Sequence, residues 1–174
     1  MPTAGPTGAA EHAAEADASE SRATDARTQL ADYRFVYMGV AGSRTLLHAD
    51  VLRSFSWSVN IAGRKRWLLL PPEATKLAMD PRGNTLAPSL NPDEVPGWQR
   101  RFPRLHQAHE AALKVIQGAG DALFVPSGWH HSVENLEDTI SINHNWLNGF
   151  NVQHAAQLLQ RTFLRGVELL ADCR

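Results

Sequence analysis

The chain has 174 residues, of which 43% are hydrophobic and 20% charged, with a formal net charge of −1 and one cysteine, Cys173. This length suits one domain with its own core, and the near-neutral charge excludes a whole-chain attraction to nucleic acid. A lone cysteine excludes an internal disulfide framework and a cysteine-based zinc site. Together with the lack of an apolar run of bilayer length, these features predict a cytoplasmic or nuclear protein that contacts neither membrane nor nucleic acid directly.

Residues 1–31 consist mainly of Ala, Thr, Ser, Gly and acidic residues, with almost no large apolar side chain. Such a segment buries too little surface to offset the entropy lost on ordering, so it is predicted to be a disordered, low-complexity tail. We expect the folded domain to span residues 32–150 and a C-terminal helical segment to span residues 151–174.

Eight short strands are predicted after Tyr33 from apolar runs and period-2 alternation. They lie at residues 35–40, 45–48, 54–61, 66–70, 114–117, 122–125, 132–135 and 139–143. The run at 122–125 is apolar enough to predict a core strand. Residues 73–103 are rich in Pro, Asn and Gly and predict an extended insert with one short helix, and a helix is expected over 105–113. An all-β sandwich or barrel follows, of which the jelly roll is one form, with a C-terminal helix over 150–171.

Two histidine clusters flank predicted strands. His48 and Asp50 are two residues apart on a strand, so both side chains project from one face and can reach one ion. The pair alone is weak evidence, since it arises often by chance. His130 and His131 follow a turn at Pro126, and a single histidine there is more often a hydrogen-bonded core residue. Two histidines and a carboxylate form the facial triad of non-haem Fe(II) oxygenases; zinc is the competing metal, although the helical H-E-x-x-H motif is absent.

A basic triplet, Arg64-Lys65-Arg66, begins the fourth predicted strand. Alternation places Lys65 on the inner face when Arg64 and Arg66 point outward. An ammonium group inside an apolar barrel is costly unless an anion pairs with it. A dicarboxylate that chelates the metal at one end would supply that anion.

Several motifs, in order and spacing, resemble the JmjC (jumonji C) family of Fe(II)- and 2-oxoglutarate-dependent oxygenases. They are Thr45–Asp50, Trp57, Gly63–Pro71, Gly120–His131 and Ile140–Trp146. The resemblance covers residues 33–150 and implies a double-stranded β-helix (a jelly-roll, cupin-like barrel) that uses Fe(II), 2-oxoglutarate and O2.

The resemblance also implies roles for single residues. Iron would be held by His48, Asp50 and His131, where His131 rather than His130 falls at the ligand position five residues after Pro126. The cosubstrate residues that it implies are Lys65 for the far carboxylate of 2-oxoglutarate, Thr45 for an assisting hydroxyl, and Asn143 and Asn145 on the last strand. The family also carries a segment before the barrel that covers its mouth, and this chain has a polar, Ala-rich stretch there.

Within the family the chain looks most like the jumonji domain-containing 4 branch, which implies hydroxylation of a protein lysine, with a translation termination factor as substrate. Demethylation of a histone or another N-methylated protein is the alternative within the same family. From other classes, a catalytically inert barrel and a zinc hydrolase stay open. The apolar stripe of the C-terminal helix fits either a homodimer contact or packing on the barrel. His106 and His109 beside Glu110 are interpreted as a solvated helix face.

Overall fold

The structure is a computed structural model and describes residues 34–171, so the tail predicted over residues 1–31 lies outside the described part. All eight predicted strands are present with small shifts at their ends. They are β1 Arg34–Gly39, β2 Arg44–Ala49, β3 Phe55–Ala62, β4 Lys65–Leu70, β5 Leu113–Gln117, β6 Ala122–Val125, β7 His130–Asn135 and β8 Thr139–Trp146. The α-helices are α1 Trp98–Arg101, α2 Leu105–Ala111 and α3 Val152–Ala171.

The strands form two four-stranded antiparallel sheets. The first has the order β1-β8-β3-β6 and the second the order β2-β7-β4-β5. Trp67 and Leu69 of the second sheet pack against Val125 of the first, so the two sheets enclose a common interior. The predicted jelly-roll, cupin-like barrel is confirmed.

Strand β3 has the predicted alternation, but its polar face is the buried one. Ser56, Ser58 and Asn60 point into the barrel and are at most 6% exposed. The large apolar side chains of the same strand, such as Trp57, point away from the interior and are partly exposed. A strand that buries hydroxyl and amide groups provides the polar lining of a cavity rather than part of an apolar core.

The outer face of the first sheet is therefore apolar. Phe55 and Phe124 lie with their ring centroids 5.6 Å apart, and Trp146 is 5.6 Å from Phe55. Met38 is 76% exposed on the edge strand β1. Cross-strand neighbours in an antiparallel sheet share a face, so these side chains form one continuous outer surface.

The run at 122–125 is not the core strand that its composition predicts. Val125 is 1% exposed, whereas Phe124 is 52% exposed. The alternation of a strand sends adjacent side chains to opposite faces, and only one face of β6 meets the barrel interior.

The insert between β4 and β5 is more ordered than predicted. It contains the 3₁₀ helices Pro72–Ala78 and Pro92–Glu94 in addition to α1 and α2. Leu90, Phe102 and Leu105 are fully buried and anchor it against Leu70 of β4. The largest hydrophobic cluster of the described residues thus lies outside the barrel, between the second sheet and this insert.

Helix α3 confirms the predicted C-terminal helix. Its first turns contact the short 3₁₀ helix Val51–Arg53, and Ala155 is buried. Farther along, Phe163 is 70% and Leu170 72% exposed. Packing therefore accounts for Ala155, whereas Val152 is 50% and Leu159 56% exposed in the same half of the helix. The homodimer stays a prediction. No helix of residues 34–171 is both long enough and apolar enough to traverse a bilayer.

Candidate metal centre

The predicted metal ligands converge at one end of the barrel. His48 on β2 and His131 on β7 are direct cross-strand partners, and their ring centroids are 4.3 Å apart. Asp50 follows β2 directly. One potential ligand atom from each of the three side chains lies within 4.8 Å of the others, and this is the only such group within residues 34–171.

An irregularity in β2 shapes the centre. Between the pairs Thr45–Val133 and His48–His131, two residues of β2 oppose one residue of β7. This extra residue is a β-bulge, which re-aims the side chains that follow it. Thr45 and His48 are three apart and would face opposite sides of a regular strand, yet both line the cavity described below.

Two of the three candidate ligands are held by neighbouring groups. Nδ1 of His48 is 2.8 Å from the backbone oxygen of Leu46, so this nitrogen carries the proton and Nε2 keeps its lone pair for a metal. Ser56 donates a hydrogen bond of 2.6 Å to Oδ2 of Asp50. Hydrogen bonds of this kind fix ligand orientation and raise metal affinity.

His131 is 4% exposed, and its Nδ1 is buried without a hydrogen-bond partner in the described residues. Burial lowers the pKa of this imidazole to about 4, helped by the neighbouring His48 and opposed by Asp50. The ring is therefore neutral at pH 7, which is the form that binds metal. Two neutral imidazole donors and a carboxylate at this spacing fit a divalent transition metal.

His130 faces the opposite side of β7. Its Nδ1 lies 3.2 Å from Oγ1 of Thr75, and its Nε2 lies 3.4 Å from Nη1 of Arg53. Since a guanidinium only donates, Nε2 of His130 accepts from Arg53. The structure thus brings His131, not His130, to the predicted metal ligands.

Lys65 is 6% exposed and points into the barrel, as alternation predicts. Its Nζ donates a 2.6 Å hydrogen bond to Oγ of Ser141, and burial lowers the pKa of its ammonium group. No carboxylate of residues 34–171 pairs with it. The flanking Arg64 and Arg66 point outward, to Glu137 at 2.7 Å and to Glu134. A buried ammonium without an anion is a ready site for a carboxylate ligand.

One cavity of about 220 Å³ joins the metal ligands to this ammonium group. It is lined by all seven residues predicted for the metal and cosubstrate: Thr45, His48, Asp50, Lys65, His131, Asn143 and Asn145. Ser58, whose role the sequence left open, donates a 3.0 Å hydrogen bond to Oδ1 of Asn143. Asn145 donates to Ser54 at 3.1 Å. The two amides on β8 are thus held in place at the cavity wall.

Other residues of the cavity were not predicted from the sequence. Tyr37, Ser56, Trp67 and Asn135 also line it. For Trp67 a signal exists, because it lies two residues from Lys65, which alternation places on the inner face of β4. Nothing in the sequence alone marks Tyr37, which lies on the edge strand β1.

The histidines and glutamate of α2, His106, His109 and Glu110, do not line this cavity. His106 and Glu110 are exposed neighbours on α2, and Nδ1 of His109 is 3.1 Å from the backbone oxygen of Leu90. The three residues do not gather around one point, as expected for a helix face.

A two-sheet barrel with a His-Asp-His centre and a polar cavity is a metal-binding jelly roll of the cupin type. The family model described as a cupin-like domain matches residues 7–152, and the chain belongs to this family.

Curated relatives extend the comparison. Proteins named 2-oxoglutarate and iron-dependent oxygenase JMJD4 are 47% identical over 146 residues in Homo sapiens and 55% identical over 125 residues in Gallus gallus. The matches cover 82% and 70% of this chain and 34% and 28% of the relatives. The protein named Arginine-specific demethylase JMJ20 of Arabidopsis thaliana is 46% identical over 147 residues, 82% of this chain and 30% of its own length. The chain spans about a third of these relatives, and the predicted resemblance to the JmjC oxygenases is confirmed.

Proposed function

We propose that the chain carries the catalytic centre of an Fe(II)- and 2-oxoglutarate-dependent dioxygenase that hydroxylates a protein side chain. The observation that carries the proposal is the shared cavity: three metal-ligating side chains lie at one part of it, and a buried ammonium group without an anionic partner lies at another. A metal ion would bind to the three side chains, and a dicarboxylate bound to that metal would pair its far carboxylate with the ammonium group. The names of the relatives support the same cofactor and cosubstrate.

His48 and His131 would donate nitrogen lone pairs to iron, and Asp50 would offset part of its positive charge. Lys65 would pair with the far carboxylate of 2-oxoglutarate, while Thr45 and Asn143 present polar groups to the bound molecule. Bound iron supplies the oxidative chemistry: 2-oxoglutarate, O2 and a C–H bond give succinate, CO2 and a hydroxylated carbon. Trp67 and Val133 provide an apolar wall that limits water at the reacting centre.

For the substrate, we propose a lysine side chain of a translation termination factor, reached in the cytoplasm or nucleus. This rests on the similarity to the jumonji domain-containing 4 branch. A hydroxylated methylene is a stable alcohol and predicts a product heavier by one oxygen atom.

Removal of an N-methyl group from a histone or another protein is the second candidate function. It is favoured by the relative named Arginine-specific demethylase JMJ20. A hydroxylated N-methyl carbon breaks down to the amine and formaldehyde, so this function predicts a product that has lost a methyl group.

The experiment is anaerobic loading with Fe(II), followed by incubation with 2-oxoglutarate, O2 and either a release-factor peptide or a methylated histone peptide. Succinate release and peptide mass are measured, with Asp50→Asn as the inactive control. Peptide-dependent succinate with a gain of one oxygen supports hydroxylation, and loss of a methyl group supports demethylation. Tight binding of Fe(II) and 2-oxoglutarate without turnover on any peptide would favour an inert barrel, and activity independent of both would favour a zinc hydrolase.

We also propose that two copies of the chain associate through the second half of α3, where Phe163, Val167 and Leu170 are exposed. Sedimentation analysis checks this: Phe163→Lys is expected to convert a dimer to a monomer. A monomeric wild-type chain would contradict it.

A further inference from the structure

A second cavity of about 360 Å³ lies on the other side of β7 from the metal centre. Ser127, Gly128 and His130, at and just before the start of β7, form part of its wall. The rest comes from three elements: the 3₁₀ helix after Asp50, the 3₁₀ helix Pro72–Ala78 and the first turns of α3. Each contributes one permanent cation, Arg53, Lys76 and Arg161 respectively. No acidic residue lines the cavity.

These cations have no acidic partner in the described residues. Ion pairs to glutamate are formed instead by other arginines, among them Arg44, Arg64 and Arg66. Arg53 and Arg161 are close enough to repel, and burial together with Arg161 lowers the pKa of Arg53. Like charges gathered around a cavity destabilise the fold unless an anion offsets them.

Arg53 is held in its place by the surrounding structure. Nη1 of Arg53 contacts Nε2 of the buried His130, and its backbone oxygen accepts a 2.5 Å hydrogen bond from Ser127. Leu52 and Arg53 have φ angles of 52° and 57°, the left-handed region that side chains other than Gly and Asn rarely adopt. Consecutive residues in this conformation are strained, and such strain concentrates at ligand sites.

Neutral hydrogen-bonding groups complete the site. Gln157 lies about one turn and His154 about two turns before Arg161 on α3, so all three face the cavity from the same side of the helix. Nδ1 of His154 lies 3.1 Å from Oγ of Ser127. Hydrogen-bond donors thus approach the cavity from three directions. The four oxygens of a tetrahedral anion can accept hydrogen bonds from all three, whereas the two oxygens of a planar carboxylate can accept from only some of them.

We propose that this cavity binds a phosphate group, with Arg53, Lys76 and Arg161 as its charged ligands. The site is separate from the one that would hold 2-oxoglutarate, because His130 and His131 face opposite sides of β7. The phosphate could belong to the free ion or to a phosphorylated side chain, and both present the same chemistry to these residues.

The test measures binding of inorganic phosphate to the full chain by titration calorimetry, in a Lys65→Met background that removes the other buried cation. We expect saturable binding that Arg161→Gln and Lys76→Gln, both at exposed positions, each weaken on the order of tenfold. Arg165→Gln makes the same charge change on the same helix, outside the cavity, and is expected to leave the affinity unchanged.

A phosphoserine peptide and its unphosphorylated form distinguish the sources. Tighter binding of the phosphopeptide than of free phosphate would assign the site to a phosphorylated protein, and equal binding would assign it to the free ion. The proposal is overturned by lack of saturable phosphate binding, by an affinity that Arg161→Gln and Lys76→Gln leave unchanged, or by an equal loss in Arg165→Gln. The outcome is independent of turnover with 2-oxoglutarate.

Discussion

Lys65 illustrates how a single residue can favour a ligand at the expense of the fold. Its ammonium group is buried beside Ser141 with no carboxylate partner in residues 34–171. Burial of an unpaired charge opposes folding, and a bound dicarboxylate removes that cost.

Replacing Lys65 by Met should therefore separate stability from binding. We expect the free energy of unfolding of the ligand-free chain to rise by about 1–2 kcal/mol, while the affinity for 2-oxoglutarate falls roughly 100-fold. Urea unfolding and calorimetry with the metal-loaded chain measure the two quantities. Lys114→Met, at an exposed position on β5, is the matched control and should change neither quantity. A Lys65→Met chain that binds 2-oxoglutarate normally would refute the assignment.

The two neighbouring histidines predict a pH dependence. Burial lowers the pKa of both His130 and His131 to about 4 in the folded chain, against 6.5 for a free histidine. The unfolded chain binds more protons between these values, so stability is complete above pH 6.5 and is lost as the pH falls toward 4. Each histidine contributes on the order of 1–3 kcal/mol to this loss of stability, and His130 contributes less because solvent screens its ring more.

Urea unfolding of the metal-free chain between pH 7 and pH 4.5 checks this dependence. His131→Asn should flatten the profile, since one of the two titrating groups is gone, whereas Asn at the exposed position His106 should leave it unchanged. Identical profiles for wild type and His131→Asn would show that burial of this imidazole does not control the acid sensitivity.

The charged and metal-binding residues of the site were predictable mainly because several motifs, in order and spacing, resemble those of the JmjC family, whereas the His48–Asp50 pair alone is weak evidence. The structure brings His48, Asp50 and Lys65 to one cavity. Ser56 was not predicted, because a serine in a strand gives no sign of the carboxylate that it will meet. The bulge in β2 was also missed, since an extra residue in a ladder depends on the partner strand.

At the scale of elements, the insert between β4 and β5 carries much of the packing. Phe102 is fully buried among the residues that cover the second sheet. The sequence predicted its turns, one short helix over 73–103 and the helix at 105–113, which is α2. It did not predict the further short helices of the insert, because these form where Leu90 and Phe102 pack against β4 and not through intrinsic propensity.

Phe102→Ala should lower the free energy of unfolding by about 3–5 kcal/mol, because it removes a buried ring and leaves a cavity. Chemical denaturation measures the effect. Phe150→Ala, at a position that is 89% exposed, is the matched control, with an expected change within about 0.5 kcal/mol. Equal effects of the two substitutions would contradict the position of this core.

Considered as a whole, the described part of the molecule has one barrel, with polar groups lining the inner face of its first sheet and apolar groups on the outer face. The period of β3 and β8 was predictable, but which face turns inward was not. Burial of apolar residues is the usual rule, and here the cavity reverses it by requiring hydroxyls and amides inside. The outer surface keeps Met38, Ile61 and Phe124 more than half exposed.

A contiguous apolar surface of this kind attracts hydrophobic probes. We expect the chain to bind an anilinonaphthalene sulfonate dye under native conditions. The double substitution Val36→Lys and Met38→Lys should reduce the dye fluorescence about twofold or more, because it removes roughly half of the apolar surface that binds the dye. Ile116→Lys, an exposed position on the other sheet, should have little effect. Dye binding that is the same in all three chains would contradict a continuous outer patch.

The central claim is that His48, Asp50 and His131 hold one iron beside the carboxylate site of Lys65. The most direct measurement is a crystal structure of the chain loaded anaerobically with Fe(II) and 2-oxoglutarate, with anomalous data at the iron edge. We expect one iron peak at about 2.0–2.3 Å from a nitrogen of each histidine and an oxygen of Asp50, with a carboxylate of 2-oxoglutarate at Nζ of Lys65. An iron peak away from these side chains, or a cosubstrate bound without contact to Lys65, would contradict it.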